Sequence, residues 1–281
     1  MDPTSLSPYS AVFSYMKYSD DPHRTRVSRL FVLLCGFEIL PKTVSTRGRG
    51  GRFILSEPVC AYLLDTDSGW VLLDAGLNPD NGRDPARKHE KFWRLGMTAP
   101  VIRDEHLIES QLAALGVRLT DIGHVILSHL HYDHCGYLRH FLHARISVQR
   151  REYEHAFGAD PGMAYFRDEY DDPRLQWDLR DGDWEALPGL RLIDTRGHTQ
   201  GHQAAVVELP ESGTLVLPFD AGDLQENFDD EIIPGECCDE AAALRAIRRI
   251  KALEAASGAT RLLFHDPVAI QAMRLSPDCY R

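Results

Sequence analysis

The chain has 281 residues, 43% of them hydrophobic and 26% charged, which is the composition of an ordinary folded protein and excludes a low-complexity or disordered one. Its 42 acidic against 31 basic side chains leave a formal charge of −11, which repels polyphosphates and argues against a nucleic-acid partner. The longest apolar run near the start, Leu30 to Leu40, is too short to span a bilayer and contains Glu38, so it reads as a buried strand rather than an anchor.

Residues 1–29 are polar and show no sustained period, and are expected to form an N-terminal arm on a single domain over residues 30–281. No early basic cluster precedes an apolar stretch, so the cytoplasm is the expected location. The run Arg47 to Arg52 lacks the Lys-Ser/Thr ending of a phosphate loop and is expected to be a surface loop. Tyr62 to Leu64 and Trp70 to Leu73 flank Asp67-Ser68-Gly69 as the strands of a hairpin would. The insertion Leu77 to Arg103 brings Phe92, Trp93, Leu95 and Met97, to which Tyr165, Phe166 and Trp177 add apolar surface. Core burial is the commoner use of such aromatics, and a pocket for an apolar chain the alternative.

Leu107, Ile108, Gln111, Leu112 and Leu115 recur at helical spacing before the stop Gly116, and lead to a strand at His124 to Leu127. Further strands are expected at Leu190 to Thr195, Ala204 to Leu209, Thr214 to Phe219 and Arg261 to Phe264. Asp239 can cap a helix carrying Leu244, Ile247, Ile250 and Leu253 on one side. Strands and helices alternate in each half, which fits an α/β sandwich of two sheets with helices outside. The six cysteines, Cys35, Cys60, Cys135, Cys237, Cys238 and Cys279, show no CxxC spacing and are expected to be reduced; the adjacent Cys237 and Cys238 read as a loop position.

Three histidines and an aspartate fall within the six residues His129-Leu-His131-Tyr-Asp133-His134, directly after an apolar strand. Imidazole nitrogen and carboxylate oxygen are ligands that zinc, iron(II) and manganese accept, and alternation along an extended chain would let one loop serve two cations. His198, Asp220 and His265 each follow a predicted strand, and strands of one sheet can deliver side chains to a single rim. His202 is expected to support a ligand from behind. Asp74, ending a strand, is expected either to orient a metal-bound histidine or to accept turn N–H groups. The remaining histidines, His155 among them, read as ordinary polar residues.

This pattern, His-x-His-x-Asp-His, then Gly-His, a strand-ending Asp and a last His, resembles the metallo-β-lactamase superfamily, whose fold is a four-layer αββα sandwich of α/β class. Within it the chain resembles the N-acyl-homoserine lactonases, through Ser128 to His134, Val148 to Glu154, Gly197 to Gln203, Asp220-Ala and Glu226 to Phe228. The resemblance implies two divalent cations, usually zinc, with iron, manganese or cobalt as alternatives. It assigns one to His129, His131 and His198, the other to Asp133, His134 and His265, and makes Asp220 the bridge. Asp133 would carry the proton to the leaving group. The implied activity is hydrolysis of a lactone, with quorum quenching as its biological use and a small-molecule lactone, not nucleic acid or membrane, as partner. Another lactone, ester, thioester or β-lactam substrate, a metal-binding sensor, and assembly into a homodimer are left open. Two positions depart from the lactonases: Asp223 stands where a substrate-binding Tyr is usual, and Phe264 where Gly is usual, adding bulk near the second cation. Asp223 is the candidate substrate contact.

Overall fold

The computed structural model describes residues 27–281. The first strand, β1, spans Val27–Pro41, so Val27, Ser28 and Arg29, assigned by their polarity to the arm, belong to the sheet; the rest of the expected arm lies outside the described residues. Arg29 is held there by a two-pronged contact to Asp65 on the neighbouring strand, a polar partner that a hydrophobic pattern does not register.

β1, β2 (Ile54–Thr66), β3 (Gly69–Leu73), β4 (Ile122–Ile126), β5 (Arg145–Gln149) and β6 (Gln176–Arg180) form one sheet in sequence order. The first three strands pair antiparallel, and β3 to β6 run parallel. A second sheet has the order β11-β10-β9-β8-β7, made of β7 (Trp184–Leu187), β8 (Leu190–Asp194), β9 (Gln203–Leu209), β10 (Gly213–Leu217) and β11 (Thr260–Arg261).

Alternation along β9 shows how the layers are glued. Ala205, Val207 and Leu209 face the core shared with the first sheet, while Ala204 and Val206 face Ala246, Ile247 and Ile250 of the long helix Glu240–Ser257. On the far side of the first sheet, Ile108 and Leu112 of the helix Ile108–Ala114 join the main core. The result is the expected αββα sandwich.

Direction of travel decides where the loops gather. β8 is antiparallel to β9, β9 to β10, and β10 parallel to β11, so β8, β10 and β11 all run the same way and their C-terminal loops leave from one edge. β3 and β4 are likewise parallel, with Leu73 opposite Ile126, which puts Asp74 beside the start of the histidine loop. The last strand is shorter than its apolar run implies: β11 stops at Arg261, and Leu262, Leu263 and Phe264 continue buried but outside the sheet. Burial of an apolar run does not require ladder pairing. β10 also ends early, at Leu217, and Asp220 sits in a short helical turn, Phe219–Ala221. Among the described residues all six cysteines are unpaired, and no helix is long and apolar enough to cross a membrane.

His124 on β4 is buried with both ring nitrogens engaged, Nε2 at 2.8 Å from the Ser147 hydroxyl and Nδ1 accepting from Arg145 at 3.0 Å. Burial, helped by the Arg145 charge, pulls its pKa from 6.5 to about 4. The unfolded chain therefore takes up a proton as pH falls below 6.5 while the folded one does not, so this residue's contribution is complete above that pH and is lost toward 4. Wild type is expected to lose about 2 kcal/mol more stability than His124→Gln between pH 7 and pH 5, measured by urea unfolding; equal losses would show that His124 titrates normally.

Candidate metal centre

The loop after β4 carries His129 and His131 in extended chain, but Tyr132–Cys135 then turns into a helix. His129 and His131 share one group, as alternation along the extended loop implies, and Asp133 and His134 turn away from them by helical rotation. Helical geometry turns each successive side chain by about 100°, which separates the two pairs.

All seven predicted ligands converge. His129, His131, His198 and Asp220 form one buried group, and Asp133, His134, Asp220 and His265 another, with the ligand atoms of each group within 4.8 Å of one another. The Asp220 carboxylate belongs to both. Its Oδ2 lies 3.2 Å from His198 Nε2 and 3.7 Å from His129 Nε2, while Oδ1 lies 3.2 Å from His134 Nε2 and 3.5 Å from His265 Nε2. His131 Nδ1 is 3.1 Å from His198 Nε2, and Asp133 Oδ2 is 2.9 Å from His134 Nε2.

Buried polar atoms normally find hydrogen bonds. Here His129 Nε2, His134 Nε2 and Asp220 Oδ1 are buried and make none, although oxygens and nitrogens surround them. These atoms lie instead among the nitrogens and oxygens of the two groups. Three imidazoles with a carboxylate on one side, and two imidazoles with two carboxylates on the other, suit a divalent cation in each group.

The charges agree. Burial alone would raise the Asp220 carboxyl, but His134, His265, His129 and His198 hold it well below the usual range. Burial likewise opposes a charged imidazole, yet Asp133, Asp220 and Asp74 drive His134 well above its ordinary pKa. His265 is driven the same way, against burial, by Asp220 and Asp133. These carboxylates favour positive charge beside them, and a bound divalent cation would supply it.

The outward face of each ligand is held in turn. Asp74 faces His134 Nδ1 at 2.8 Å while accepting from the Ser128 backbone at 2.6 Å and hydroxyl at 2.8 Å, so both roles considered for it are combined. His198 Nδ1 donates to the Glu236 carbonyl and His265 Nδ1 to the Pro58 carbonyl, at 2.8 and 2.9 Å. His202 is not in either group; its Nε2 accepts from the Asp220 backbone N–H at 3.1 Å and its Nδ1 faces Thr195, which seats the shared aspartate. Gly197, next to His198, packs so tightly on the long helix that a Cβ would lie 2.2 Å from the Ala243 nitrogen.

A cleft of about 180 Å³ opens onto the first group, with His131, His198, Tyr165, Thr199 and Glu236 in its wall. Of the aromatic residues weighed for it, Tyr165 lines the cleft, whereas Phe92 and Phe166 are buried against Tyr132, and Trp177 packs on Tyr153 and Phe157. His155, read as an ordinary polar residue, also lines the cleft. Phe264 is wholly buried and stacks on the His134 ring at 4.7 Å, so it braces a ligand. Asp223 is buried near Asp220 and His265, with Oδ1 unpartnered.

Sequence reading missed three buried glutamates. Glu38 and Glu57 face each other across β1 and β2; Glu38 accepts from the Tyr132 hydroxyl and Glu57 from Ser45. Burial and the Asp133 charge push Glu38 up to about 8. Its presence inside an apolar run was the available signal. Glu152, with no such flag, joins the backbones of two ligand loops.

The sequence profile described as the metallo-beta-lactamase superfamily matches residues 57–255. An N-acyl homoserine lactonase of Bacillus cereus is 35% identical over 202 residues, which are 70% of this chain and 77% of that protein. The N-acyl homoserine lactonase AttM of Azorhizobium caulinodans is 32% identical over 236 residues, 79% of this chain and 87% of that one. Among solved structures, a mutant of Bacillus thuringiensis AiiA with N-decanoyl-L-homoserine bound at its active site superposes with a TM-score of 0.81 at 30% identity, covering 91% of this chain and 100% of that one. An N-acyl homoserine lactone hydrolase with N-hexanoyl-L-homoserine bound at its catalytic metal centre gives 0.80, at the same identity and coverage.

Asp74→Asn keeps the shape but not the charge behind His134. Divalent-cation affinity of the group containing His134 is expected to fall about 10–100-fold, read by competition with a chromogenic chelator, while the other group keeps its affinity. Unchanged binding at both would remove Asp74 from the site.

Proposed function

The chain belongs to the metallo-beta-lactamase superfamily, and on that premise we propose that it is a metal-dependent hydrolase that opens the lactone ring of N-acyl homoserine lactones. The similar lactonases of B. cereus and A. caulinodans support the substrate class. The observation that carries the chemistry is the Asp220 carboxylate, one oxygen in each of two buried ligand groups, at the end of a cleft.

His129, His131 and His198 would hold one divalent cation, Asp133, His134 and His265 the other, and Asp220 both. Zinc is our proposal for the two, although iron(II), manganese and cobalt suit the same donors. Bound there, such a pair supplies charge that polarises a carbonyl oxygen and makes water nucleophilic near neutral pH.

Asp133 directs Oδ2 toward His134 and His265, which leaves Oδ1 to take a proton and return it to the alkoxide released by ring opening. Burial would raise this carboxyl, but His134 and His265 hold it well below the ordinary range. Tyr165 stands edge-on to His131 at 4.6 Å and walls the cleft in which the substrate would lie. At Asp223 the proposed contact is that of a neutral carboxyl: burial and the Asp220 charge push it toward its protonated form, in which it can donate to a substrate carbonyl as well as accept from a substrate N–H. We place the protein in the cytoplasm, a location with which its six unpaired cysteines agree.

A panel of acyl homoserine lactones, thioesters and β-lactams tests the proposal. Lactone turnover is expected, with loss on chelation and recovery on adding zinc. Asp133→Asn, reloaded with metal, should lower kcat by about 10²–10⁴-fold. A fully loaded protein that opens no lactone would end the lactonase reading.

A further inference from the structure

Glu152 lies in the helix Arg150–Ala156 that follows β5, and its side chain is completely buried. Its Oε1 accepts from the Leu130 backbone N–H at 3.0 Å and from the Tyr165 hydroxyl at 2.8 Å, and its Oε2 accepts from the Gly201 backbone N–H at 3.0 Å. Leu130 sits between His129 and His131, and Gly201 between His198 and His202. One carboxylate therefore holds both loops that supply the three histidines of the first group.

The approach on the Gly201 side is as close as chain packing permits, since a Cβ there would lie 2.4 Å from the Glu152 nitrogen. The third bond reaches the same histidines by another route. Tyr165, fixed through its hydroxyl, rests its ring against His131 and lines the cleft. A carboxylate is required for this arrangement, because both oxygens accept and neither position tolerates a donor; a glutamine would turn its NH₂ toward an N–H or O–H on one side.

We propose that Glu152 is a positioning residue that sets the separation of His131 and His198, and so the cation affinity of the first group, while tying that separation to the cleft wall through Tyr165. The inference rests on reading the two groups as cation sites but does not depend on the substrate. The separation to be maintained is 3.1 Å between His131 Nδ1 and His198 Nε2.

The test uses the full-length protein and Co²⁺, followed by its visible absorption and by chelator competition without substrate. Wild type should take two equivalents. Glu152→Gln should bind one with unchanged affinity and the other about 10–100-fold more weakly, with an altered spectrum for that equivalent alone. Tyr165→Phe, which leaves both loop bonds in place, should show a smaller loss confined to the same equivalent. Equal weakening of both equivalents in Glu152→Gln, or a lowered Tm with both affinities intact, would overturn the proposal as a purely structural effect. If Glu152→Gln does not fold, Tyr165→Phe decides alone, and an unchanged Co²⁺ spectrum and affinity overturns it. Two tight equivalents in wild type without lactone turnover would count against the proposed function and not against this role.

Discussion

Among the described residues, buried carboxylates with no arginine or lysine beside them set the terms for this site. Asp220, Asp133 and Asp74 are taken out of water around His134, and none of them has an arginine or lysine beside it among the contacts of the described residues. Such groups are costly to bury unless something positive is placed among them. The chain meets that cost with imidazoles that either take up protons or cede their lone pairs to cations, and the orphaned atoms at His129, His134 and Asp220 mark where those cations belong.

Everything else in the fold serves to keep those atoms in place. The ligands come from loops, which are the least constrained parts of a chain, so each loop is pinned by a bond that has no role in chemistry. His202 seats the Asp220 backbone, Asp74 ties Ser128 to His134, and Pro58 on β2 receives His265. The contact with Pro58 crosses from one sheet to the other. A pair of sheets with parallel strand ends on a common edge gives rigid anchoring points for all of these.

The substrate side of the site is less regular. Asp223 and Phe264, the two departures from the lactonase pattern, take different places: Phe264 is absorbed into the core as a brace behind His134, while Asp223 keeps a buried oxygen without a partner. Glu38, Glu57 and Asp223 add further acidic groups around the second ligand group, each pushed toward its neutral form chiefly by burial.

From sequence alone the metal chemistry was legible, because the ligand motif is dense, local and chemically improbable as packing. So were the hairpin at Asp67-Ser68-Gly69, the helix capped by Asp239 and the two-sheet sandwich, since each depends on periodicity and turn residues within a short window. What needed the tertiary structure was the hydrogen bonding and packing between distant segments. The ends of β10 and β11 depend on which neighbour supplies hydrogen bonds, and an apolar run looks the same whether or not it is paired. The helical turn that separates Asp133 and His134 from the first two histidines is a local conformation that their spacing did not specify. Glu152 lies in the stretch Val148 to Glu154 that carries the lactonase resemblance, but its role, like that of the lone His155, shows only when the fold brings Leu130, Gly201 and the cleft to them. Short-range pattern determines which chemistry a chain can hold, whereas long-range packing decides which side chains are close enough to support it.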